Sequence, residues 1–192
     1  SQDRDTAEEN AFRLKAREGM AGKLPPRIPG QPYMDWDDKE LVATDRRSQR
    51  VLWDCGLAGI TVPKEYGGLG LTRRHETIFG EEAAPYRLAW HLGNNYNIVI
   101  PVMLAHASEE QKQRFLPGLA AGTTLFAYGL SEPDVGADLA SVRTRAERSG
   151  GSVIINGTKR WCSGANFADY ILMLVRSGDA EARYKNLSMV LV

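Results

Sequence analysis

The amino-acid sequence predicts an α+β protein, with an all-helical N-terminal domain at residues 1–122 and a β-barrel-like domain at residues 123–192. Three observations support this fold class. Capping boxes, glycines and prolines divide the first two thirds of the chain into helical segments. From Leu125 onward the apolar period changes from helical to alternating, as in strands. An Asn-Gly pair, Asn156-Gly157, lies between two strand-like runs and favours a hairpin.

The helical domain is predicted from local signals along residues 1–122. Thr6 and Glu9 form the first capping-box pattern, and Ser108 and Gln111 form another. Residues 63–70 are too rich in glycine for regular structure and are expected to form a loop. The first predicted helix begins after Thr6. The others span about residues 38–55, 72–85, 88–106 with a kink at Pro101, and 108–117.

The second domain is predicted as a run of strands near residues 125–131, 141–147, 152–156, 158–163, 169–176 and 187–192. The predicted Asn156-Gly157 hairpin would hold Trp161 and Ser163 in a fixed register, on the same side of one strand. The chain stops at Val192 within an apolar strand pattern. Because sheets seldom leave such an edge open, we expect a fragment or a chain whose remainder is not printed.

Bulk composition narrows the functional class. The 192 residues are 43% hydrophobic, enough for a true core, and 24 basic residues balance 24 acidic ones. This neutrality does not favour a nucleic-acid or membrane-surface partner. The two cysteines and three histidines lack metal-ligand spacing, so no metal site is expected and free thiols are the default. The start lacks a secretory pattern and no run is long enough to span a bilayer, so a cytoplasmic location is expected.

The candidate functional residues lie between residues 125 and 163. Each has a structural explanation when taken alone. A tryptophan such as Trp161 is more often part of a core, Ser131 before a Glu-Pro pair is usually a turn residue, and Asp138 can simply brace a loop. The order and spacing of these residues, rather than any single one of them, favour a functional interpretation.

Together these segments resemble the acyl-CoA dehydrogenase family over nearly the whole chain. Ser131-Glu132-Pro133 matches the family's Thr/Ser-Glu-Pro element. Ser163-Gly164-Ala165 resembles a bacterial branch that carries Ser-Gly-Ala in place of Thr-Asn-Gly. Further similar segments are the loop at 63–70, the helix at 108–112 with Phe115-Leu116-Pro117, the loop Val135-Gly136-Ala137-Asp138, Ala168-Asp169, and Asn156-Gly157-Thr158-Lys159-Arg160-Trp161 against the pattern Asn-Gly-x-Lys-x-Trp.

The resemblance implies that the chain binds FAD through its middle domain. Trp161 would flank the flavin ring, Ser163 would hydrogen-bond near N5, and Gly136 would let the backbone approach a phosphate. Ala137 departs from the family pattern, which has a serine there that donates to the pyrophosphate. The complete set of implied cofactor-binding residues is Tyr128, Leu130, Ser131, Gly136, Ala137, Trp161 and Ser163.

The resemblance also implies an activity and partners. A carboxylate would remove the proton α to the thioester of an acyl-CoA, and hydride would pass from the β-carbon to flavin N5. The base is expected beyond Val192, in a C-terminal helical bundle absent from this chain, and Glu132 is not that base. Electron-transfer flavoprotein would accept the electrons, the protein would form a homotetramer or dimer of dimers, and the acyl chain would run beside the segment from Trp90 to Met103.

Several alternatives remain open at the level of sequence. The same fold hosts acyl-CoA oxidases and flavin monooxygenases, which differ in oxygen access. Ala137 lacks the serine hydroxyl, and losing one such hydrogen bond weakens FAD binding by on the order of 0.5–1.5 kcal/mol. Ala137 therefore also fits a partner subunit of a heteromeric dehydrogenase that is non-catalytic and has stopped binding FAD. A scaffold without a cofactor would require the whole 125–163 pattern to be coincidence.

Overall fold

The computed structural model describes residues 5–31, 35–178, 182 and 184–192, and it divides the chain into two compact units, Ser1–Leu125 and Phe126–Val192. Unit 1 is helical, with helices α1 (Ala7–Met20), α2 (Lys39–Asp54), α3 (Arg73–Ala83), α4 (Ile100–His106) and α5 (Glu109–Ala121). Unit 2 is built on strands. The order of helices and then strands agrees with the predicted fold class.

Helix α1 illustrates how local signals define an element and its buried face. The Thr6 side chain accepts a hydrogen bond from the Glu9 backbone, and the Glu9 side chain accepts one from the Thr6 backbone, which closes the predicted capping box. Phe12, Ala16 and Met20, spaced by four residues, lie on one buried face. This face packs into the core of unit 1 together with residues such as Leu52, Leu57 and Ile78.

The segment predicted as one kinked helix at 88–106 changes helix type instead. A 3₁₀ turn at Trp90–Leu92 is followed by a π-helix at Asn95–Val99 and then by α4. Pro101 is the second residue of α4 and lies in a helical run that the π-helix precedes, so it removes one backbone hydrogen bond from that run. The irregularity of this run lies in the π-helix directly before the proline.

Helix α5 is longer than predicted. It continues through Pro117 to Ala121 and ends at Gly122, whose φ of 72° is left-handed. Leu116, Leu119 and Ala120 are fully buried on its inner face. Burial of this apolar face outweighs the hydrogen bond that a proline removes, which local sequence signals do not reveal.

Unit 2 contains one sheet of five strands among the described residues: β1 (Phe126–Gly129), β2 (Arg145–Ser149), β3 (Ser152–Asn156), β4 (Tyr170–Arg176) and β5 (Leu187–Leu191). The path β1-β4-β2-β3 orders four strands, and β5 also pairs with β4. Strand β4 runs parallel to β1 and antiparallel to β5, so it lies at the centre.

The predicted hairpin at Asn156-Gly157 is wrong. The hairpin joins β2 to β3 instead, with Ser149 paired to Ser152 across a Gly150-Gly151 turn. Residues 157–162 are irregular, so the predicted strand at 158–163 is absent from this described segment. The predicted strand at 141–147 begins only at Arg145.

Gly157 explains why the chain leaves the sheet at this point. Its φ is 154°, and a Cβ atom added there would lie 2.6 Å from the Thr144 Cα atom. Only glycine permits so close a backbone approach. Glycine is therefore required at position 157 because the backbone passes close to Thr144 there, and not because the chain makes a tight hairpin turn.

Candidate functional site

Two segments implied by the resemblance lie side by side in unit 2. Leu130 and Ser131 directly follow β1, and they contact the segment that carries Lys159 and Arg160. The Arg160 backbone N–H donates to the Ser131 carbonyl oxygen at 2.9 Å, and Lys159 Nζ donates to the Leu130 carbonyl oxygen at 3.0 Å. The structure thus brings the end of β1 to the segment that continues into Trp161.

The buried Glu132 side chain holds these segments together. Its carboxylate accepts hydrogen bonds from the backbone N–H groups of Arg143 and Thr144, both at 2.8 Å, and from Lys159 Nζ at 3.0 Å. Burial by itself would raise the pKa of this carboxyl, but the donors of Thr144, Arg143 and Lys159 outweigh it and hold the pKa at about 2. Glu132 is therefore ionised near neutral pH, and it connects its own turn to residues 143–144 and to Lys159.

A tight turn after Glu132 presents the next loop to solvent. Glu132 and Val135 exchange two backbone hydrogen bonds, of 2.8 and 3.1 Å. Gly136 and Ala137 follow and are exposed, and a Cβ atom added to Gly136 would meet nothing within 4 Å. The Asp138 side chain accepts a hydrogen bond from the Ser141 hydroxyl at 2.5 Å, so it braces the loop. The backbone at Gly136 is left open to a large group.

Trp161 is strained and exposed, unlike a core tryptophan. Its φ is 61°, in the left-handed region, and its side chain remains 75% exposed with the Arg160 guanidinium 4.6 Å from the ring centre. Such strain costs on the order of 1–3 kcal/mol and clusters at functional sites. The geometry therefore favours a ligand-binding role over a core role for this residue.

Ser163 does not share a strand face with Trp161, contrary to the predicted alternation. The Ser163 N–H donates to the Trp161 carbonyl oxygen at 3.0 Å, which closes a tight turn, and the Ser163 side chain is exposed. Tyr128 is half-buried on β1, opposite Leu172 of β4. Of the three residues expected on one strand, Tyr128 lies on β1, whereas Leu130 and Ser131 lie just beyond its end.

Two supporting groups were missed from sequence. The first consists of the hydrogen-bond donors that keep the Glu132 carboxylate ionised, namely Lys159 and the backbone N–H groups of residues 143–144. The second is Arg176, whose guanidinium donates to the carbonyl oxygens of Ala140 and Val142 and to the Asn186 side chain at 2.6–2.9 Å. An arginine ending an apolar strand run is the only sequence signal for the latter, since its partners are distant in sequence.

These residues fit the requirements of a flavin nucleotide. A flavin needs hydrogen-bonding groups at its ring edge, flat cover for a ring face and N–H donors for its pyrophosphate. The Ser131 and Ser163 hydroxyls, the exposed Trp161 indole and the open backbone at Gly136 and Ala137 supply these types of group. Among the described residues no cluster of His, Cys, Asp or Glu could hold a metal ion.

Unit 1 contains a cavity of about 900 Å³. Its lining includes Trp90, Gly93, Tyr96, Asn97, Ile100 and Pro101 from the segment where the acyl chain was expected, together with residues of α2, α3 and the loop at 57–61. Within the part of the chain that the structure describes, no helix is long and apolar enough to cross a bilayer.

The helical unit is followed by a sheet unit with a lysine-braced Ser-Glu-Pro turn, the order of parts that the resemblance to acyl-CoA dehydrogenases predicted. Family models agree over almost the full length. The model of the acyl-CoA dehydrogenase N-terminal domain matches residues 6–123, and that of the middle domain matches residues 127–192. The chain therefore belongs to the acyl-CoA dehydrogenase family, as the sequence motifs predicted.

Individual relatives show the same likeness. Acyl-CoA dehydrogenase FadE29 of Mycobacterium tuberculosis is 42% identical over 138 residues, which cover 71% of this chain and 35% of that protein. The ChsE4-ChsE5 complex from Mycobacterium tuberculosis contains a chain with a TM-score of 0.73 and 32% identity, matched over 98% of this chain and 47% of that one. Glutaryl-CoA dehydrogenase from Mycobacterium smegmatis in complex with FADH2 has a TM-score of 0.70 and 25% identity, over 100% and 47%. The chain thus spans between about a third and a half of the three relatives named here.

Proposed function

We propose that this chain is part of an FAD-dependent acyl-CoA dehydrogenase that converts an acyl-CoA thioester to its α,β-enoyl form. The observation that carries the proposal is the exposed, strained Trp161, held beside the end of β1 by the Glu132–Lys159 pair. A related glutaryl-CoA dehydrogenase was solved with FADH2, which supports the choice of flavin.

The chain's own residues would hold and orient the cofactor. The Trp161 indole would cover one ring face, and the hydroxyls of Ser131 and Ser163 would hydrogen-bond to the ring edge. The backbone at Gly136 and Ala137 would donate to the pyrophosphate. When bound, FAD supplies the acceptor for the hydride that leaves the β-carbon of the acyl group.

Glu132 cannot serve as the base that removes the α-proton. Its pKa of about 2 and its hydrogen bonds to Arg143, Thr144 and Lys159 leave the carboxylate a poor proton acceptor near neutral pH. We assign the base to a carboxylate outside this chain, in the C-terminal helical bundle of the complete protein. Transfer of electrons to electron-transfer flavoprotein, assembly as a homo-oligomer and a cytoplasmic location belong to the same proposal.

A partner-subunit role is the second candidate. Two observations favour it: Ala137 cannot supply the hydroxyl that a serine would direct at the pyrophosphate, and one structural neighbour is the two-component ChsE4-ChsE5 complex. In this alternative the chain would complete a heteromeric dehydrogenase while a second chain carried the flavin.

Visible absorbance of the purified full-length protein tests the proposal. The expected result is a flavin band near neutral pH that bleaches on anaerobic addition of mixed acyl-CoAs, while addition of free CoA leaves it unchanged. A protein without a flavin band that co-purifies with a flavin-loaded second chain would support the partner role instead. A flavin band that dithionite bleaches and acyl-CoAs do not would contradict the dehydrogenase assignment.

A further inference from the structure

Backbone hydrogen bonds hold Trp161 in place on both sides, but they do not fix its side chain. The Arg160 N–H donates to the Ser131 carbonyl oxygen at 2.9 Å, and the Ser163 N–H donates to the Trp161 carbonyl oxygen at 3.0 Å. These bonds secure the left-handed backbone at Trp161, where φ is 61°. The indole is 75% exposed, so it can change rotamer unless another side chain restrains it.

The Arg160 guanidinium is the group that contacts the indole. Its Cζ atom lies 4.6 Å from the ring centre. A cation within about 6 Å of the centre of an aromatic ring is attracted to its face. Among the residues that the structure describes, no other charged or aromatic side chain makes such a contact with Trp161. The orientation of the indole therefore depends on Arg160.

The strained backbone makes this contact possible. Neighbouring side chains on an extended strand point to opposite faces, so Arg160 and Trp161 could not stack there. The left-handed φ of Trp161 breaks this alternation, and the guanidinium lies over the ring. Residues other than glycine seldom adopt such a φ, and the strain persists only where the surrounding structure imposes it. The contact thus depends on a backbone conformation that costs free energy, which favours a functional role over a chance surface contact.

Arg160 differs in its charge partners from the neighbouring Lys159. The Lys159 side chain is 5% exposed, and its ammonium pairs with the Glu132 carboxylate at 3.0 Å. Arg160 is exposed, and within the described parts of the chain no carboxylate oxygen lies within 4.0 Å of its guanidinium. Lys159 therefore braces the loops, whereas the cation of Arg160 is directed at the indole.

We propose that Arg160 is a positioning residue that holds the Trp161 indole in the orientation that binds the flavin ring. The guanidinium covers part of the indole, and most of the ring stays exposed to a second flat group. A side chain that is already fixed loses less conformational entropy on binding, so the contact should increase the affinity for FAD. The inference rests on the proposed flavin-binding function and deepens it by naming a residue that acts through Trp161.

Arg160→Met is the variant that tests this role. Methionine is of similar length and can still lie against the indole, but it lacks the cation and the planar guanidinium. Arg160→Lys keeps a cation and should restore most of the contact. The matched control is Arg148→Met in β2, because Arg148 is also exposed and, as far as the structure describes the chain, contacts no aromatic ring.

Fluorine NMR of the full-length protein, labelled with fluorotryptophan and freed of flavin, reports on the indole directly. The Trp161 resonance is identified by its absence from Trp161→Leu. Arg160→Met is expected to shift and narrow this resonance, because the ring then moves more freely. Arg160→Lys should stay close to the wild-type spectrum, and Arg148→Met should match it. An unchanged Trp161 resonance in Arg160→Met would overturn the inference.

Titration of the same flavin-free proteins, without the label, with FAD measures the consequence for binding. Arg160→Met is expected to raise the dissociation constant of FAD by about threefold to tenfold, whereas Arg160→Lys and Arg148→Met should change it by less than about twofold. In a Trp161→Leu background, Arg160→Met should have less than about a 1.5-fold effect, because Arg160 acts through the ring. Equal losses in the two backgrounds would show that Arg160 does not act through Trp161 and would reject the positioning role.

Failure of the proposed function gives a different result, because neither measurement uses an acyl-CoA. Arg160-dependent affinity for FAD, without flavin bleaching by acyl-CoAs, would retain Arg160 as a positioning residue and reject the dehydrogenase. Bleaching by acyl-CoAs, with an FAD affinity that does not depend on Arg160, would do the reverse. A wild-type protein that binds no added FAD would reject both.

Discussion

At the residue scale, the Glu132–Lys159 pair shows how a buried charge is made tolerable. Both side chains are about 5% exposed, and desolvating two ions is costly unless every lone pair and proton finds a partner. Here the carboxylate takes two backbone N–H groups as well as the ammonium, and the ammonium also donates to the Leu130 carbonyl oxygen. The pair is therefore best understood as a device that positions loops beside β1.

Replacing Glu132 by Gln should destabilise the protein in a pH-dependent way. The folded pKa of about 2, against an ordinary value of 4.5, corresponds to stabilisation on the order of 3 kcal/mol that is fully present above pH 4.5. This contribution is lost as the pH falls from 4.5 through about 2, because the carboxyl is then protonated in the folded state as well as in the unfolded state. Urea denaturation should show Glu132→Gln less stable by a similar amount at pH 7, with the gap narrowing below pH 4.5.

The control for this prediction is Glu147→Gln. The Glu147 side chain is 66% exposed, and its nearest cation, Arg145, lies 3.8 Å away, so the change should cost less than about 0.5 kcal/mol. A Glu132→Gln deficit that stays constant between pH 7 and pH 3 would show that the carboxylate charge is not what stabilises the site.

At the element scale, the Asn156-Gly157 pair shows that long-range packing, and not the local sequence pattern, determines where the hairpin turn forms. Asn-Gly between apolar runs predicts a hairpin, but Gly150-Gly151 makes that turn and Gly157 passes over Thr144. Both sites offer a glycine that can adopt a positive φ, so turn chemistry alone does not distinguish them. The contact with Thr144 is long-range and was not visible in the sequence.

Gly157→Ala should destabilise the sheet unit by about 2 kcal/mol or more, because the new Cβ atom would overlap the Thr144 backbone at a φ that alanine avoids. Gly151→Ala, where an added Cβ atom meets nothing within 4 Å, should change stability by less than about 1 kcal/mol. Thermal unfolding followed by circular dichroism compares the two variants. Similar melting temperatures for the two variants would show that the close approach to Thr144 is not the reason why position 157 requires glycine.

The helices were more predictable than the strands and loops for a physical reason. Capping boxes at Thr6 and Ser108 act within a few residues, so sequence alone indicates them. The π-helix and the passage of α5 through Pro117 depend on burial against distant elements. The flavin candidates followed from family motifs, whereas the strained backbone of Trp161 and the bracing of Glu132 needed three-dimensional contacts.

At the scale of the whole molecule, the described residues form two units with different proposed tasks. The helical unit holds a wide apolar cavity, and the sheet unit presents the end of β1 with Trp161. Family membership follows from both units, since each matches its own domain model. The contacts that we propose between this chain and FAD lie in the sheet unit.

Flavin occupancy in a Trp161→Ala/Ser163→Ala variant of the full-length protein tests the central claim most directly. The account predicts that this variant loses most of its flavin absorbance, while its helical circular dichroism stays unchanged. A Ser152→Ala/Val153→Ala variant, altered on exposed strand β3, should keep wild-type occupancy. Full flavin occupancy and normal acyl-CoA turnover in the Trp161/Ser163 variant would contradict the site assignment.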